Sequence, residues 1–202
     1  MAQQAHALGT TRRTLVRGAA WSVPVVSLAV TVPAYAASPI PCPVIPQPAQ
    51  WTATTATGTV ASKADDYQWY TTTNKWVIYK DNGSTTASLT FASSSPAIAV
   101  TPGATYNGSF SFYWQYGNGA SAQSTGGTFD VLVNGVSVKS LTTRTAAVGA
   151  TAATTTQTFS YVAPAGTTSI VITYRYVLTP RVNAASDDII VTAPSFSTCT
   201  VN

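Results

Sequence analysis

The sequence beyond residue 36 is poor in charge and lacks three residue types altogether. It contains no histidine, no glutamate and no methionine, and the only histidine of the 202 residues is His6. General acid–base catalysis near neutral pH usually recruits histidine or glutamate. We therefore expect that the chain is not an enzyme. A cryptic hydrolase that works with aspartates alone, or with a serine and a lysine, is kept as a further alternative.

Paired carboxylates of the glycosidase type are also missing from any single strand. Asp65–Asp66 and Asp187–Asp188 are adjacent in sequence. Neighbours on a strand point to opposite faces, whereas a glycosidase needs two carboxylates facing one substrate. Neither pair is expected to act alone as such a site.

An excess of positive charge disappears once the first 36 residues are set aside. The formal charge of the whole chain is +4, but Arg12, Arg13 and Arg17 all lie in that segment. The remaining residues hold seven Lys or Arg against six Asp, a net charge of +1. Without a basic cluster, we expect no binding to nucleic acid.

The first 36 residues have the three-part order of a signal peptide. Arg12 and Arg13 begin a basic region, an apolar run covers 19–32, and an A-x-A site predicts cleavage between Ala36 and Ala37. The apolar run is shorter than the roughly 20 residues that a membrane-spanning helix needs. The segment TRRTLVR resembles the twin-arginine export motif, and an ordinary Sec signal is the alternative.

Three regions follow from this organisation, and both cysteines belong to the part expected to be exported. Cys42 and Cys199 are predicted to form a disulfide, since isolated cysteine pairs of exported proteins usually do. Reactive thiols are the alternative, but no histidine is available to lower a thiol pKa. The predicted regions are a signal peptide at 1–36, a proline-rich entry segment at 37–50 and one domain at 51–202.

Helical periodicity is absent from the rest of the chain, and alternation with period two replaces it. Phe110, Phe112 and Trp114 share one face of a predicted strand, which predicts a buried Trp114. Asn134–Gly135 between two alternating runs predicts a hairpin. The predicted strands are 75–80 and 87–91, expected to pair, then 109–116, 128–133, 136–139, 156–162, 169–177 and 188–192. They predict an all-β, two-sheet antiparallel sandwich.

Four stretches have a recognisable order of turns and strands. They are TPGATYNGSFSFYW (101–114), GTFDVLVNGVSV (127–138), QTFSYVAPAGTTSIVITY (157–174) and ASDDIIVTAPSF (185–196). Residues 51–196 thereby resemble the jelly-roll sandwich of carbohydrate-binding modules and galactose-binding-like domains of secreted bacterial proteins. The resemblance implies a jelly-roll fold, a sugar ligand and a structural calcium ion.

Aromatic residues near the start of the domain are the candidate ligand platform. Trp69 and Tyr70 lie in a polar, turn-like neighbourhood, and Tyr79 follows a short strand. Burial in the core is the alternative, and it is the expectation for Trp76. Asp187 and Asp188 are weak candidates for calcium ligands, because two carboxylates supply fewer oxygens than calcium requires. A charged strand start is the alternative for them.

These patterns together predict a secreted or cell-surface binding protein without catalytic function. Carbohydrate is the leading ligand class, and extracellular polysaccharide or cell-wall glycan the expected partner. A structural or adhesive surface protein that acts through protein–protein contacts is the alternative. No cofactor is expected, apart from the structural calcium that the resemblance implies.

Overall fold

A computed structural model describes residues 38–61, 67–116, 126–143, 154–181 and 187–201. These residues belong to one compact unit. The predicted signal peptide, with Arg12, Arg13 and the Ala36–Ala37 cleavage site, lies outside the described residues. Within the described part, helical structure is limited to short 3-10 segments, one at Pro48–Gln50 and one that includes Thr143.

Strands account for most of the described backbone. In chain order they are β1 Ser38–Pro39, β2 Thr55–Thr57, β3 Tyr67–Tyr70, β4 Lys75–Ile78, β5 Leu89–Ser94, β6 Ile98–Ala99, β7 Ala104–Tyr116, β8 Gly127–Val133, β9 Val136–Thr142, β10 Thr155–Val162, β11 Ser169–Ile170, β12 Ile172–Leu178, β13 Asp187–Thr192 and β14 Ser195–Val201. All the recorded strand pairs are antiparallel. The predicted all-β class is confirmed.

Two sheets face each other, and their strand order is that of a jelly roll. The first sheet has seven strands: its main order is β3-β4-β13-β7-β10, and β14, which carries β1 at its edge, also pairs with β7. The second sheet has the order β2-β5-β12-β8-β9. Along the chain, β4, β7, β10 and β13 of the first sheet alternate with β5, β8–β9 and β12 of the second. This alternation of eight strands between two sheets is the jelly-roll arrangement.

The hairpin predicted at Asn134–Gly135 is present and joins β8 to β9. Asn134 has φ 49° and Gly135 has φ 82°, the left-handed conformations that a tight two-residue hairpin turn requires. The predicted pairing of 75–80 with 87–91 is wrong. β4 pairs with β3 and β13, whereas β5 lies in the other sheet between β2 and β12.

Aromatic rings fill the space between the two sheets. Phe129 of β8 lies at the centre, and its ring centroid is 5.1 Å from Tyr174, 5.3 Å from Phe112 and 5.7 Å from Phe110. Trp76 is fully buried in the same cluster, as the sequence predicted. Each ring comes from the inward-facing positions of an alternating strand, which is why period two in the sequence predicts this core.

The predicted disulfide between Cys42 and Cys199 is present. It connects the proline-rich entry segment to β14, a strand that the sequence analysis did not identify. β14 pairs with the first half of β7, and β13 pairs with the second half on the same side. Next to the disulfide, the backbone N–H of Ile40 donates to the carbonyl of Cys199 at 2.9 Å.

Membrane-spanning helices were sought along the described ranges. None of the helical structure there has the length and apolar character needed to cross a bilayer.

Candidate functional site

Two members of the predicted platform lie on the outer face of the first sheet, Tyr70 exposed and Tyr79 half-buried. On β3, Tyr67 and Trp69 pack toward the core, so alternation turns Tyr70 outward, where it is 36% exposed. On β7, Phe112 is buried and Tyr113 points to the opposite, outer side. Strands β4 and β13 lie between β3 and β7, so the sheet order brings residues from four strands onto one surface.

Tyr79 joins this surface just after the end of β4. Ile78 pairs with Ile189, and both side chains are fully buried on the inner side of the sheet. The adjacent side chains of Tyr79 and Asp188 therefore point to its outer side. We call Tyr70, Tyr79, Tyr113 and Asp188 the tyrosine face. Its members are far apart in sequence, and the register of the sheet gathers them.

The Tyr79 phenol interacts electrostatically with the other three side chains of this face. Partial burial raises the pKa of the Tyr79 phenol, and Asp188, Tyr70 and Tyr113 raise it further in that order. A raised phenol pKa means that Tyr79 keeps its proton at and above the ordinary tyrosine value near 10. At neutral pH the tyrosine face therefore offers the Tyr79 phenol as a donor beside the carboxylate of Asp188, whose Oδ1 is buried.

Trp69 lies elsewhere than the sequence analysis proposed. Its indole N–H donates to the Ser93 hydroxyl at 2.8 Å, and its ring centroid is 5.0 Å from Trp51 and 5.8 Å from Tyr174. Trp69 is only partly buried, but its ring faces the core and not the tyrosine face. Its polar neighbours in sequence suggested exposure, whereas strand alternation turns the ring inward.

Trp114 is a second correction. The sequence predicted a buried residue, and the structure shows an inward-facing ring that packs against the core but is only partly buried. β7 lies next to the edge strand β10. β10 begins at Thr155, opposite Phe112, so β10 provides no residue opposite Trp114, whereas Phe110 and Phe112 are flanked by it and are buried.

The predicted calcium ligands lie at the start of β13. Asp188 belongs to the tyrosine face, and Asp187 precedes it on the same strand. Across the described ranges, no group of three or more His, Cys, Asp or Glu side chains is placed to hold a metal ion.

Tyr113 is the member of the tyrosine face that the sequence analysis missed. The strand 109–116 was interpreted through its inner residues Phe110, Phe112 and Trp114. The same alternation places Tyr113 on the outer side, so the signal was present in the sequence. Its nearness to Tyr79 was not, since β13 separates their strands.

Comparisons with known proteins leave the family open. No family model matches the chain, and no curated protein matches it. The solved structures similar to it include the Stig cyclase Fisc from Fischerella sp. TAU in complex with (3Z)-3-(1-methyl-2-pyrrolidinylidene)-3H-indole. That likeness covers 82% of this chain and 98% of the cyclase, with 12% identity and a TM-score of 0.37. A second cyclase from Fischerella sp. TAU matches 82% of this chain and 97% of its own, with 12% identity and a TM-score of 0.35.

These matches correct the prediction that the chain is not an enzyme. Both similar structures are cyclases. At 12% identity and with TM-scores below 0.5, the likeness assigns no reaction, substrate or catalytic residue to this chain.

Proposed function

We propose that this protein is exported and binds carbohydrate on the tyrosine face of its first sheet. The observation that supports this most directly is the electrostatic interaction of Tyr79 with Asp188, Tyr70 and Tyr113 on the outer surface of adjoining strands. Extracellular polysaccharide or cell-wall glycan is the proposed partner.

The chemistry of the tyrosine face suits a sugar chain. A sugar ring has a C–H face that packs on aromatic surface, and hydroxyl groups that need hydrogen-bond partners. Tyrosine offers an apolar ring and a polar hydroxyl in one side chain, and a carboxylate accepts from hydroxyl groups. Because Tyr70 and Tyr113 stand on strands, little conformational entropy is lost when a ligand binds.

Export is proposed from the disulfide together with the N-terminal segment. Disulfides form and persist mainly in oxidising environments outside the cytoplasm, and Cys42–Cys199 closes almost the whole domain. The predicted twin-arginine or Sec signal provides the route. The resemblance to carbohydrate-binding modules and the jelly-roll strand order agree with a secreted binding domain.

The test is retention on insoluble polysaccharides, with cellulose, chitin and purified peptidoglycan as probes. We expect retention of the wild-type protein on at least one of them. Tyr70→Ala and Tyr79→Ala should each weaken retention about tenfold or more, because an aromatic contact and a hydroxyl partner are lost together. Val136→Ala is the matched control, since Val136 is 66% exposed at the β8–β9 turn, away from this face.

Circular dichroism and melting temperatures identify variants that fail to fold. Retention of the Tyr70→Ala/Tyr79→Ala double variant at the wild-type level would contradict the proposal. Concentration-dependent self-association without retention on any of the three polysaccharides would also overturn it, in favour of an adhesive surface protein.

A further inference from the structure

A cleft lies between the free edges of the two sheets, on the inner side of the sandwich. Its volume is about 350 Å³, within the range of roughly 300–1,000 Å³ that small-molecule sites occupy. Strand β10 is the edge of the first sheet there, and β9 is the edge of the second. Residues that line it include Phe112, Trp114, Leu141, Thr142, Thr155 and Gln157.

The lining combines apolar surface with neutral polar groups. Phe112, Trp114 and Leu141 supply apolar surface, and each contacts the hydrophobic core. Thr142, Thr155 and Gln157 supply two hydroxyls and an amide. The described lining carries no charged side chain. A ligand with a net charge would lose its hydration without gaining an ionic partner, so the cleft favours a neutral molecule.

Trp114 differs from the other described tryptophans in its hydrogen bonding. The indole N–H of Trp51 donates to the Pro46 carbonyl, that of Trp69 to the Ser93 hydroxyl and that of Trp76 to the Thr54 hydroxyl, at 2.8–2.9 Å. Among the residues that the structure describes, none accepts from the Trp114 N–H. Since a partly buried indole N–H usually has an acceptor, this donor, on a side chain that lines the cleft, is unmatched within the described residues.

The polar groups of β10 are ordered before any ligand arrives. The Gln157 amide donates to the Thr155 hydroxyl at 3.1 Å, and that hydroxyl donates to the Phe112 carbonyl at 3.3 Å. This chain of hydrogen bonds holds both side chains at the cleft. Groups held in place in this way lower the entropic cost of binding.

We infer that this cleft binds one uncharged, hydroxyl-rich unit of a soluble saccharide. The C–H face of the sugar lies against Leu141 and the Trp114 ring. One of its hydroxyl oxygens accepts a hydrogen bond from the Trp114 N–H, and other hydroxyls form hydrogen bonds with Thr142 and Gln157. The site is separate from the tyrosine face, and its occupancy does not depend on whether that face binds polysaccharide.

The indole N–H resonance of Trp114 reports occupancy directly. We would label the exported protein with ¹⁵N, assign the resonance from its loss in Trp114→Phe, and titrate with glucose, galactose and N-acetylglucosamine. Concentrations up to about 20 mM would nearly saturate a site with a Kd of 1 mM. One of these sugars should shift the Trp114 signal saturably while the Trp69 and Trp76 signals stay in place.

Gln157→Ala should lower the affinity for that sugar at least fivefold, because one ordered polar partner is removed from the lining. Ser160→Ala is the matched control on the same strand, since Ser160 is exposed on the opposite side of β10 and lies outside the cleft. An equal affinity for Gln157→Ala and the wild-type protein would overturn the inference.

Other outcomes separate this site from the tyrosine face and from other ligands. A shifted Trp114 signal in a protein that no polysaccharide retains would support the cleft and count only against the tyrosine face. No shift with any of the three sugars at 20 mM, or equal shifts of all indole signals, would overturn the inference. A shift with phenol but with none of the sugars would also overturn it.

Discussion

Gly108 occupies a place on β7 where two neighbouring strands leave no room for a side chain. It lies opposite Phe159 of β10 on one side and Phe196 of β14 on the other. A Cβ added there would overlap the Phe159 ring and would lie 3.0 Å from the Ser195 carbonyl oxygen. Glycine is needed here for close packing and not for an unusual backbone conformation.

Replacing Gly108 with alanine should therefore destabilise the fold by about 1–3 kcal/mol, the usual cost of overpacking a core. Urea unfolding monitored by tryptophan fluorescence measures this as a lower midpoint. Ser160→Ala, an exposed change on β10, should stay within about 0.5 kcal/mol of the wild-type protein. An unchanged midpoint for Gly108→Ala would mean that Phe159 moves aside at little cost.

Strands β8 and β12 are joined by an ion pair as well as by their ladder. Asp130 and Arg175 are directly opposed in register. The guanidinium of Arg175 donates to Asp130 through Nε at 3.2 Å and Nη2 at 2.8 Å. The Asp130 side chain is 8% exposed and that of Arg175 is 42% exposed, so the carboxylate depends more on its partner than the cation does.

Removing the arginine should cost more stability than removing the aspartate. Arg175→Ala leaves a nearly buried carboxylate without its cation, which we expect to lower the free energy of unfolding by about 1–3 kcal/mol. Asp130→Ala leaves a cation that water reaches, and the loss should be smaller. A double-mutant cycle by urea unfolding measures the coupling, expected above about 0.5 kcal/mol. Independent, additive effects of the two changes would contradict this.

Across the whole domain, the disulfide closes a loop of 157 residues in sequence separation. The entry segment reaches the first sheet through β1, which pairs with β14 over two residues only. So short a strand pairing holds the entry segment weakly. The disulfide therefore does more than this strand pairing to hold the two ends of the domain together.

Changing both cysteines to serine should lower the stability of the domain by up to about 5 kcal/mol, the chain-entropy value for a loop of this length. Thermal unfolding of the wild-type protein with and without dithiothreitol measures the same effect. The double serine variant is the control, and reductant should not alter its melting temperature. Equal melting temperatures for the reduced and oxidised wild-type protein would contradict a stabilising role.

Local patterns in the sequence predicted the alternating core strands but missed β3 and β14, and they predicted the strand partners less well. The Asn134–Gly135 hairpin joins neighbouring segments, and local turn chemistry determines it. β4 and β5 are also close in sequence, yet they belong to opposite sheets. The path of residues 79–88 decides this, and tertiary contacts stabilise it: the Asn82 side-chain amide donates to the Ala87 and Thr179 carbonyls at 2.7 and 3.0 Å.

The candidate site was predictable only in part for the same physical reason. Tyr70 and Tyr79 were selected from sequence, but Trp69 was placed on the wrong side because polar neighbours outweighed strand alternation in the interpretation. Tyr113 and Asp188 join them through the order β3-β4-β13-β7, which links segments more than 100 residues apart. No local pattern specifies that order.

The sequence by itself determined the all-β class, the β8–β9 hairpin and the pairing of the two cysteines. Residue alternation and turn residues act locally, so the sequence is enough to predict the class and the hairpin. Two cysteines allow only one disulfide within the chain. Only the tertiary structure decided which strands are neighbours, and with them the tyrosine face and the cleft beside Trp114. Strand order depends on how both sheets bury their apolar faces against each other. That burial involves strands from the whole chain, so no single segment of the sequence specifies it.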